Sequence, residues 1–195
     1  MVKKNYRENC EKKFYKRSFA QSFSHKFSNK NFHAVFINRV TDRNIMRAAF
    51  WLLIYASLPT VLASTLVYFI ISNYLPEFFH PVVAAAARKN FWWFPTIIFD
   101  PFFETLMLAG LICLSVKMNL KTFSIIIPSV IMAGMHSLKS ALWGVTILSF
   151  FLIQSYAFFY GFKTDFKRSY LVVAISHSMH NAWVFTALLL LSHRV

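Results

Sequence analysis

The sequence has few acidic residues, few glycines and almost no cysteine. Seven Asp and Glu stand against 21 Lys and Arg, which gives a formal net charge of +14. The two cysteines, Cys10 and Cys113, lie one in a polar tail and one in an apolar run, so neither a disulfide nor a CxxC metal knuckle is expected. Only four glycines accompany 23 Phe in 195 residues that are 57% hydrophobic, which is too apolar and too aromatic for an ordinary soluble domain.

Charge is also missing from long stretches of the chain. No Asp, Glu, Lys, Arg or His separates Arg47 from Glu77, and His136 is the one such residue between Lys121 and Lys139. About 20 apolar residues suffice to cross a bilayer as a helix, and lipid leaves other backbone conformations unsatisfied. The sequence therefore predicts an all-α, polytopic transmembrane bundle of about five spans, at 48–74, 91 or 97–116, 122–138, 141–162 and 169–192. Pro95 and Pro101 predict a broken or re-entrant start to the second span.

The chain divides into a basic tail, residues 1–46, and a transmembrane domain, residues 47–195. The tail holds more than half of the Lys and Arg, together with regularly spaced Phe, and is predicted to be disordered or an amphipathic helix on the membrane surface. The positive-inside rule places it in the cytoplasm and explains its charge without nucleic acid. We thus expect an integral membrane protein whose partners are lipid and no nucleic acid; its oligomeric state is left open.

A small set of polar side chains interrupts the predicted spans, where burial is costly. These residues are Asp100, Glu104, His136, Gln154, His177, His180 and Asn181. Inside a span Glu104 must be protonated or paired, which suits either a protonated carboxyl that donates a hydrogen bond between helices or a general base that takes a proton from water and returns it. A lone His136 on a span is either a packing residue or a ligand, and the adjacent Ala133 and Gly134 are small enough to let a neighbouring helix approach.

His177 and Asn181 are four residues apart and share one helical face, whereas His180 lies about 60 degrees round the helix. Two stacked donors of this kind can hold a carbonyl oxygen that gains negative charge. Counting residues from the predicted span ends places Glu104 and His177 at depths closer to each other than either is to His136.

Three motifs in this order resemble the CPBP family, which comprises CAAX prenyl endopeptidases and bacteriocin-processing or self-immunity proteins. Its pattern of EExxxRG, FxxxH and HxxxN corresponds here to Glu104–Gly110, Met132–His136 and His177–Asn181, within residues 95–190. The resemblance implies a helical intramembrane protease in a bacterial cytoplasmic membrane that cuts a membrane-associated peptide or protein. It implies that Glu104 and His136 activate water, and that His177 and Asn181 stabilise the oxyanion. Thr105 and Ala109 replace the second Glu and the Arg, so the first motif is degenerate.

The resemblance leaves a metal open. Glu104, His136 and His177 are the residues that would bind a divalent ion such as zinc. Asn181 suits an oxyanion donor better than a zinc ligand, which favours a site without a tightly bound metal.

Other functions are compatible with the same residues. One is a catalytically inactive relative that acts in bacteriocin self-immunity or partner binding, which the changes at Thr105 and Ala109 favour. Another is a b-type haem carrier that uses His136 with His177 or His180 as axial ligands. A transporter with Glu104 as a proton relay would need more spans or a dimer.

Overall fold

The fold is that of a computed structural model, which describes residues 30–74, 94–120, 123–138 and 141–192. The chain divides into two compact units, residues 1–35 and 36–195. Within the described ranges every regular element is helical, and the expectation of an all-α chain is confirmed. The helices are α1 (Lys30–Val40), α2 (Ile45–Tyr74), a π-helical turn (Pro95–Phe99) that leads into α3 (Asp100–Lys117), α4 (Ile126–Ser137), α5 (Ala141–Gly161) and α6 (Phe166–Ser192).

Three of these helical stretches are long and apolar enough to cross a membrane: Ile45–Val67, Pro95–Lys117 and Leu142–Gly161. Helix α4 is shorter, with 12 residues. Helix α6 has 27 residues, but polar side chains, among them His177, His180 and Asn181, lower its hydropathy. Each of the five segments predicted as spans contains one of these helices, while the count of five crossings stays a prediction. Residues 1–29 of the predicted tail and the connection at 139–140 lie outside the described residues. Of the rest of the tail, 30–40 forms α1, on which Phe36 and Val40 are buried.

Helix α5 occupies the centre of the second unit. It packs against α2, α3, α4 and α6, while α6 also contacts α2, α3 and the π-helical turn. The core contains three phenylalanines of α5, Phe150, Phe151 and Phe158, each at most 1% exposed. Large apolar side chains on the outer faces of α2, α3 and α4 are exposed, as expected where lipid covers a helix. The aromatic content noted in the sequence is thus divided between the core and the outer faces.

The second predicted span begins irregularly, as its prolines suggest. The backbone N–H of Asp100 donates to the carbonyl of Pro95, five residues earlier, so the first turn is wider than an α-helix. Pro101 follows in the first turn of α3, where a missing N–H is tolerated. Beyond this point α3 runs without a break to Lys117 and carries Glu104 in its second turn.

Helices α4 and α5 approach each other closely at Gly144 of α5. A Cβ at this position would lie 2.6 Å from the carbonyl oxygen of Ala133 and would collide with the side chain of Ser137. Ala133 is buried in this contact. The expectation that Gly134 allows close approach is wrong, because nothing lies within 4 Å of a Cβ built there and Gly134 faces outward. The glycine that the contact requires is on the partner helix.

Candidate functional site

The carboxyl group of Glu104 lies between two imidazoles. Its Oε1 is 3.6 Å from Nε2 of His136 on α4, and its Oε2 is 3.5 Å from Nε2 of His177 on α6. Three helices that are distant in sequence therefore bring three of the four predicted site residues together. The depth estimate that separated His136 from the other two is wrong, because it counted from a span that begins at residue 122, whereas α4 has 12 residues and begins at Ile126.

The tautomer of neutral His136 follows from its second ring nitrogen. Nδ1 lies 2.9 Å from the carbonyl oxygen of Met132 in the preceding turn. A carbonyl can only accept, so Nδ1 carries the hydrogen and donates it. In the neutral ring Nε2 is then an acceptor, and it faces another acceptor, the Glu104 carboxylate. The pair needs a shared proton or a proton donor placed beside it.

The three side chains differ in exposure. Glu104 is 21% exposed, His136 11% and His177 4%. Their separations exceed the usual 2.7–3.2 Å of an N–H···O hydrogen bond. A water molecule beside Glu104 and His136 can therefore lie within hydrogen-bond distance of both. The arrangement combines a carboxylate, an unprotonated ring nitrogen and a partly accessible position, which are the requirements for deprotonating water.

Two adjacent phenylalanines of α5 pack the imidazoles. The ring centroid of Phe151 is 5.2 Å from that of His136 and 5.8 Å from that of His177. Phe150 contacts His177 at 5.0 Å and His180 at 4.3 Å. The hydroxyl of Ser129 on α4 donates to the carbonyl of Phe151 at 3.0 Å, which ties this part of α5 to the helix of His136. Aromatic contacts thus hold the orientation of both histidines around Glu104.

Asn181 lies one turn beyond His177 and faces the same neighbouring helix. Its Nδ2 donates to the backbone carbonyl of Thr96, 2.9 Å away in the π-helical turn. An amide nitrogen carries two hydrogens, so one N–H of Asn181 is held by Thr96 and the other is left for a different acceptor. The shared face of His177 and Asn181 thus corresponds to their contacts with the stretch from Pro95 to Lys117.

His180 points to a different helix. Its Nδ1 lies 2.8 Å from the hydroxyl of Ser57 on α2, and the side chain is 2% exposed. This agrees with the expected rotation of His180 away from the face of His177. The residue is a buried, hydrogen-bonded link between α6 and α2 and does not belong to the group around Glu104.

The two positions at which the first motif departs from the family pattern are buried in the bundle. Thr105 and Ala109 are each 1% exposed, on the face of α3 that is turned into the bundle. The hydroxyl of Thr105 is buried and hydrogen-bonds to no described residue. Gly110 is exposed and would meet nothing within 4 Å if it carried a Cβ. Of this motif, Glu104 alone reaches the other predicted site residues.

Glu104, His136 and His177 are the residues that would hold a metal if one is bound. Across residues 30–74, 94–120, 123–138 and 141–192, no three His, Cys, Asp or Glu side chains have the arrangement of a metal site. The two Nε2 atoms face different oxygens of one carboxylate, at separations of 3.5 and 3.6 Å. In this arrangement the three side chains do not form a metal site.

Comparison with protein-family models, with curated proteins and with solved structures gives no match.

Two contacts of the site region were not expected from the sequence. Ser57 is unremarkable among the Ser and Thr of α2, whose hydroxyls commonly bond to their own helix. The Thr96 carbonyl is a backbone group and leaves no side-chain signal. Pro101 is the one sequence feature that points to it, because a proline removes a helical donor five residues after Thr96.

Proposed function

We propose that the chain is an intramembrane endopeptidase in which Glu104 and His136 activate a water molecule. The observation that supports this most is the position of the Glu104 carboxyl between Nε2 of His136 and Nε2 of His177. The resemblance of the three motifs to the CPBP family gives the same assignment of residues. The substrate class is a peptide or protein at or within the membrane.

Hydrolysis would proceed by proton transfer through Glu104. The carboxylate takes a proton from water, whose second hydrogen is held by Nε2 of His136, and the hydroxide oxygen bonds to the scissile carbonyl carbon. The carbonyl oxygen becomes an oxyanion, which the Nε2–H of His177 and the second N–H of Asn181 stabilise. Glu104 then gives its proton to the amide nitrogen as the C–N bond breaks. One water is consumed, and a carboxyl group and an amine are released.

The proposal includes an orientation in the membrane. Five crossings with the N-terminus in the cytoplasm place the Lys- and Arg-rich tail and the 163–168 turn on the same side. We assign the chain to a bacterial cytoplasmic membrane on the resemblance alone. Within the turn, Lys163 stacks on the rings of Phe159 and Tyr160, at 4.8 and 5.0 Å, and partial burial lowers its pKa. A cation held against aromatic rings at a helix end is typical of the membrane interface.

The test is to purify the protein, reconstitute it in nanodiscs, incubate it with a detergent extract of total membrane proteins and map new peptide termini by mass spectrometry. Glu104→Gln keeps the shape of the side chain but cannot take the proton. We expect it to lower the yield of the new termini by about 100-fold or more, since a general base contributes at least that factor. His136→Gln is expected to have a loss of similar order.

The matched control is Asp100→Asn, which removes an exposed carboxylate one turn earlier in α3. It is expected to leave the termini and their yield unchanged. Equal yields from the parental protein and Glu104→Gln would contradict the proposal, provided that both proteins insert and elute as a single species.

A second candidate is the inactive relative that acts in self-immunity or binding. The burial of Thr105 and Ala109 favours it, because both positions where the family pattern has a charged residue are filled by small side chains inside the core. Under this alternative, Glu104→Gln and His136→Gln leave the immunity or binding phenotype intact. Changes to exposed apolar residues of α3, such as Phe103, would then abolish the phenotype.

A further inference from the structure

The carbonyl of Thr96 has lost its donors within its own helix. In an α-helix it would accept from the N–H of residue 100, but that N–H donates to Pro95. In the wider π-helical register it would accept from residue 101, which is proline and has no N–H. The Nδ2 of Asn181 donates to this oxygen instead, at 2.9 Å. A side chain of α6 thus replaces the backbone donor that Pro101 removed.

The π-helical turn determines how the segment before α3 is oriented. A π-helical turn contains one extra residue, which shifts the phase of the helix by about 100 degrees, the angle of one α-helical residue. The turn therefore sets which face of the entry segment, Phe94–Phe99, lies against α6. Glu104 follows eight residues after Thr96 on the same helix, and His177 lies one turn before Asn181 on the other. The Asn181–Thr96 bond joins the two helices that carry this pair.

We propose that Asn181 is a positioning residue whose amide compensates for Pro101: it stabilises the π-helical turn and so fixes the entry of α3 against α6 at Glu104. This role does not depend on the proposed hydrolysis. The proposed role predicts that Asn181→Ala has a large effect only when residue 101 is proline. An alanine at 101 supplies an N–H. In the π-helical register this N–H bonds to the Thr96 carbonyl, and in the α-helical register the residue-100 N–H bonds to that carbonyl instead.

The experiment is a double-mutant cycle of Asn181→Ala and Pro101→Ala on the full-length protein in nanodiscs. Its readouts are backbone amide exchange in peptides that cover 97–102 and the melting temperature. In the parental background, Asn181→Ala leaves a half-buried carbonyl without its donor and is expected to speed exchange in this segment about tenfold. In the Pro101→Ala background, the same change is expected to have less than about a third of that effect.

Ser178→Ala serves as the control on the same helix, because the Ser178 hydroxyl is buried but hydrogen-bonds to no described residue. It should have equal, small effects in both backgrounds. Equal acceleration of exchange by Asn181→Ala with and without Pro101 would overturn the proposal. If Pro101→Ala does not insert, Pro101→Ser also supplies an N–H and replaces it in the cycle. Both readouts remain measurable on a protein with no hydrolytic activity, so failure of the proposed function would not be mistaken for failure of this inference.

Discussion

Gly144 faces the side chain of Ser137 across the contact between α4 and α5, one residue beyond His136. A Cβ at 144 would overlap the Ser137 hydroxyl. The last turn of α4 therefore keeps its position because α5 has no side chain there. Since His136 belongs to that turn, the position of its imidazole relative to Glu104 depends on a glycine of the opposing helix.

Gly144→Ala is expected to push the end of α4 outward and displace His136. Overpacking of this kind costs roughly 1–3 kcal/mol of unfolding free energy. A shift of even about 1 Å in a reacting group can lower a rate about 100-fold, so hydrolysis should fall more than stability does. The measurements are the melting temperature and the yield of new termini in nanodiscs.

Gly134→Ala is the matched control, because nothing lies within 4 Å of a Cβ at that position. It makes the same chemical change on the helix that carries His136. We expect it to be neutral or slightly stabilising, since alanine favours a helix over glycine. Similar losses in the two variants would contradict the argument from close approach.

The helices could be predicted from the sequence because each depends on the residues of its own segment. Long charge-free stretches predicted the helices of 45–74, 126–137 and 166–192 to within a few residues at each end. Polarity within the predicted spans likewise singled out Glu104, His136 and His177, which the structure brings together. Their meeting around one carboxyl is tertiary information, and residue counting failed for His136 because α4 is shorter than a complete span.

The contacts that depend on backbone or on small residues were not predictable in the same way. Asn181 was assigned from its spacing to His177, yet its partner is a carbonyl that becomes available only when two other donors are lost. Gly134 was expected to allow close approach together with Ala133 because both adjoin His136 in sequence, although the close approach is decided by Gly144 on the opposing helix. Hydroxyls such as Ser57 bond either to their own helix or across to another, and sequence does not separate the two.

Removing one partner of the hydrogen bond between Ser57 and His180 should lower stability more than removing both partners. Ser57→Ala leaves the buried Nδ1 of His180 without its 2.8 Å partner, and is expected to lower the unfolding free energy by about 1–3 kcal/mol. Replacing both groups, with Ser57→Ala and His180→Phe, removes the unsatisfied polar atom and should recover much of that loss. The measurement is the melting temperature of the two variants in one detergent.

The proposed hydrolysis provides the second readout for this pair. His180 lies outside the group around Glu104, so the double variant is expected to keep its activity once it is folded. A melting temperature for the double variant below that of Ser57→Ala would contradict the proposed link between α2 and α6.

Thr105 is expected to tolerate an apolar replacement better than a charged one. Its hydroxyl is buried and hydrogen-bonds to no described residue, so Thr105→Val removes an unsatisfied group with little change in shape. The expected result is a gain of about 1 kcal/mol in unfolding free energy. Thr105→Glu, which restores the family pattern, would place a carboxyl in the core and is expected to destabilise the protein. Higher hydrolytic activity in Thr105→Glu than in Thr105→Val would show that the second carboxylate has a place in this site after all.

Phe151 should matter for hydrolysis beyond its contribution to the core. Its ring contacts both His136 and His177, at 5.2 and 5.8 Å, and therefore limits the rotation of the two imidazoles that flank Glu104. Phe151→Leu keeps an apolar side chain but removes the ring. We expect hydrolysis to fall about tenfold or more through loss of orientation, with a stability cost of about 1 kcal/mol.

Phe159→Leu makes the same substitution two turns later on α5, where the ring contacts Tyr160 and Lys163 and lies away from the histidines. Phe159 is 9% exposed, so a similar area of buried ring is lost. Because the two variants share the chemical change and differ in their distance from Glu104, the ratio of their activities separates positioning from packing. Equal activities per amount of folded protein would mean that the ring of Phe151 fills space and does not orient the imidazoles, whereas a selective loss in Phe151→Leu would place α5 among the helices that shape the site.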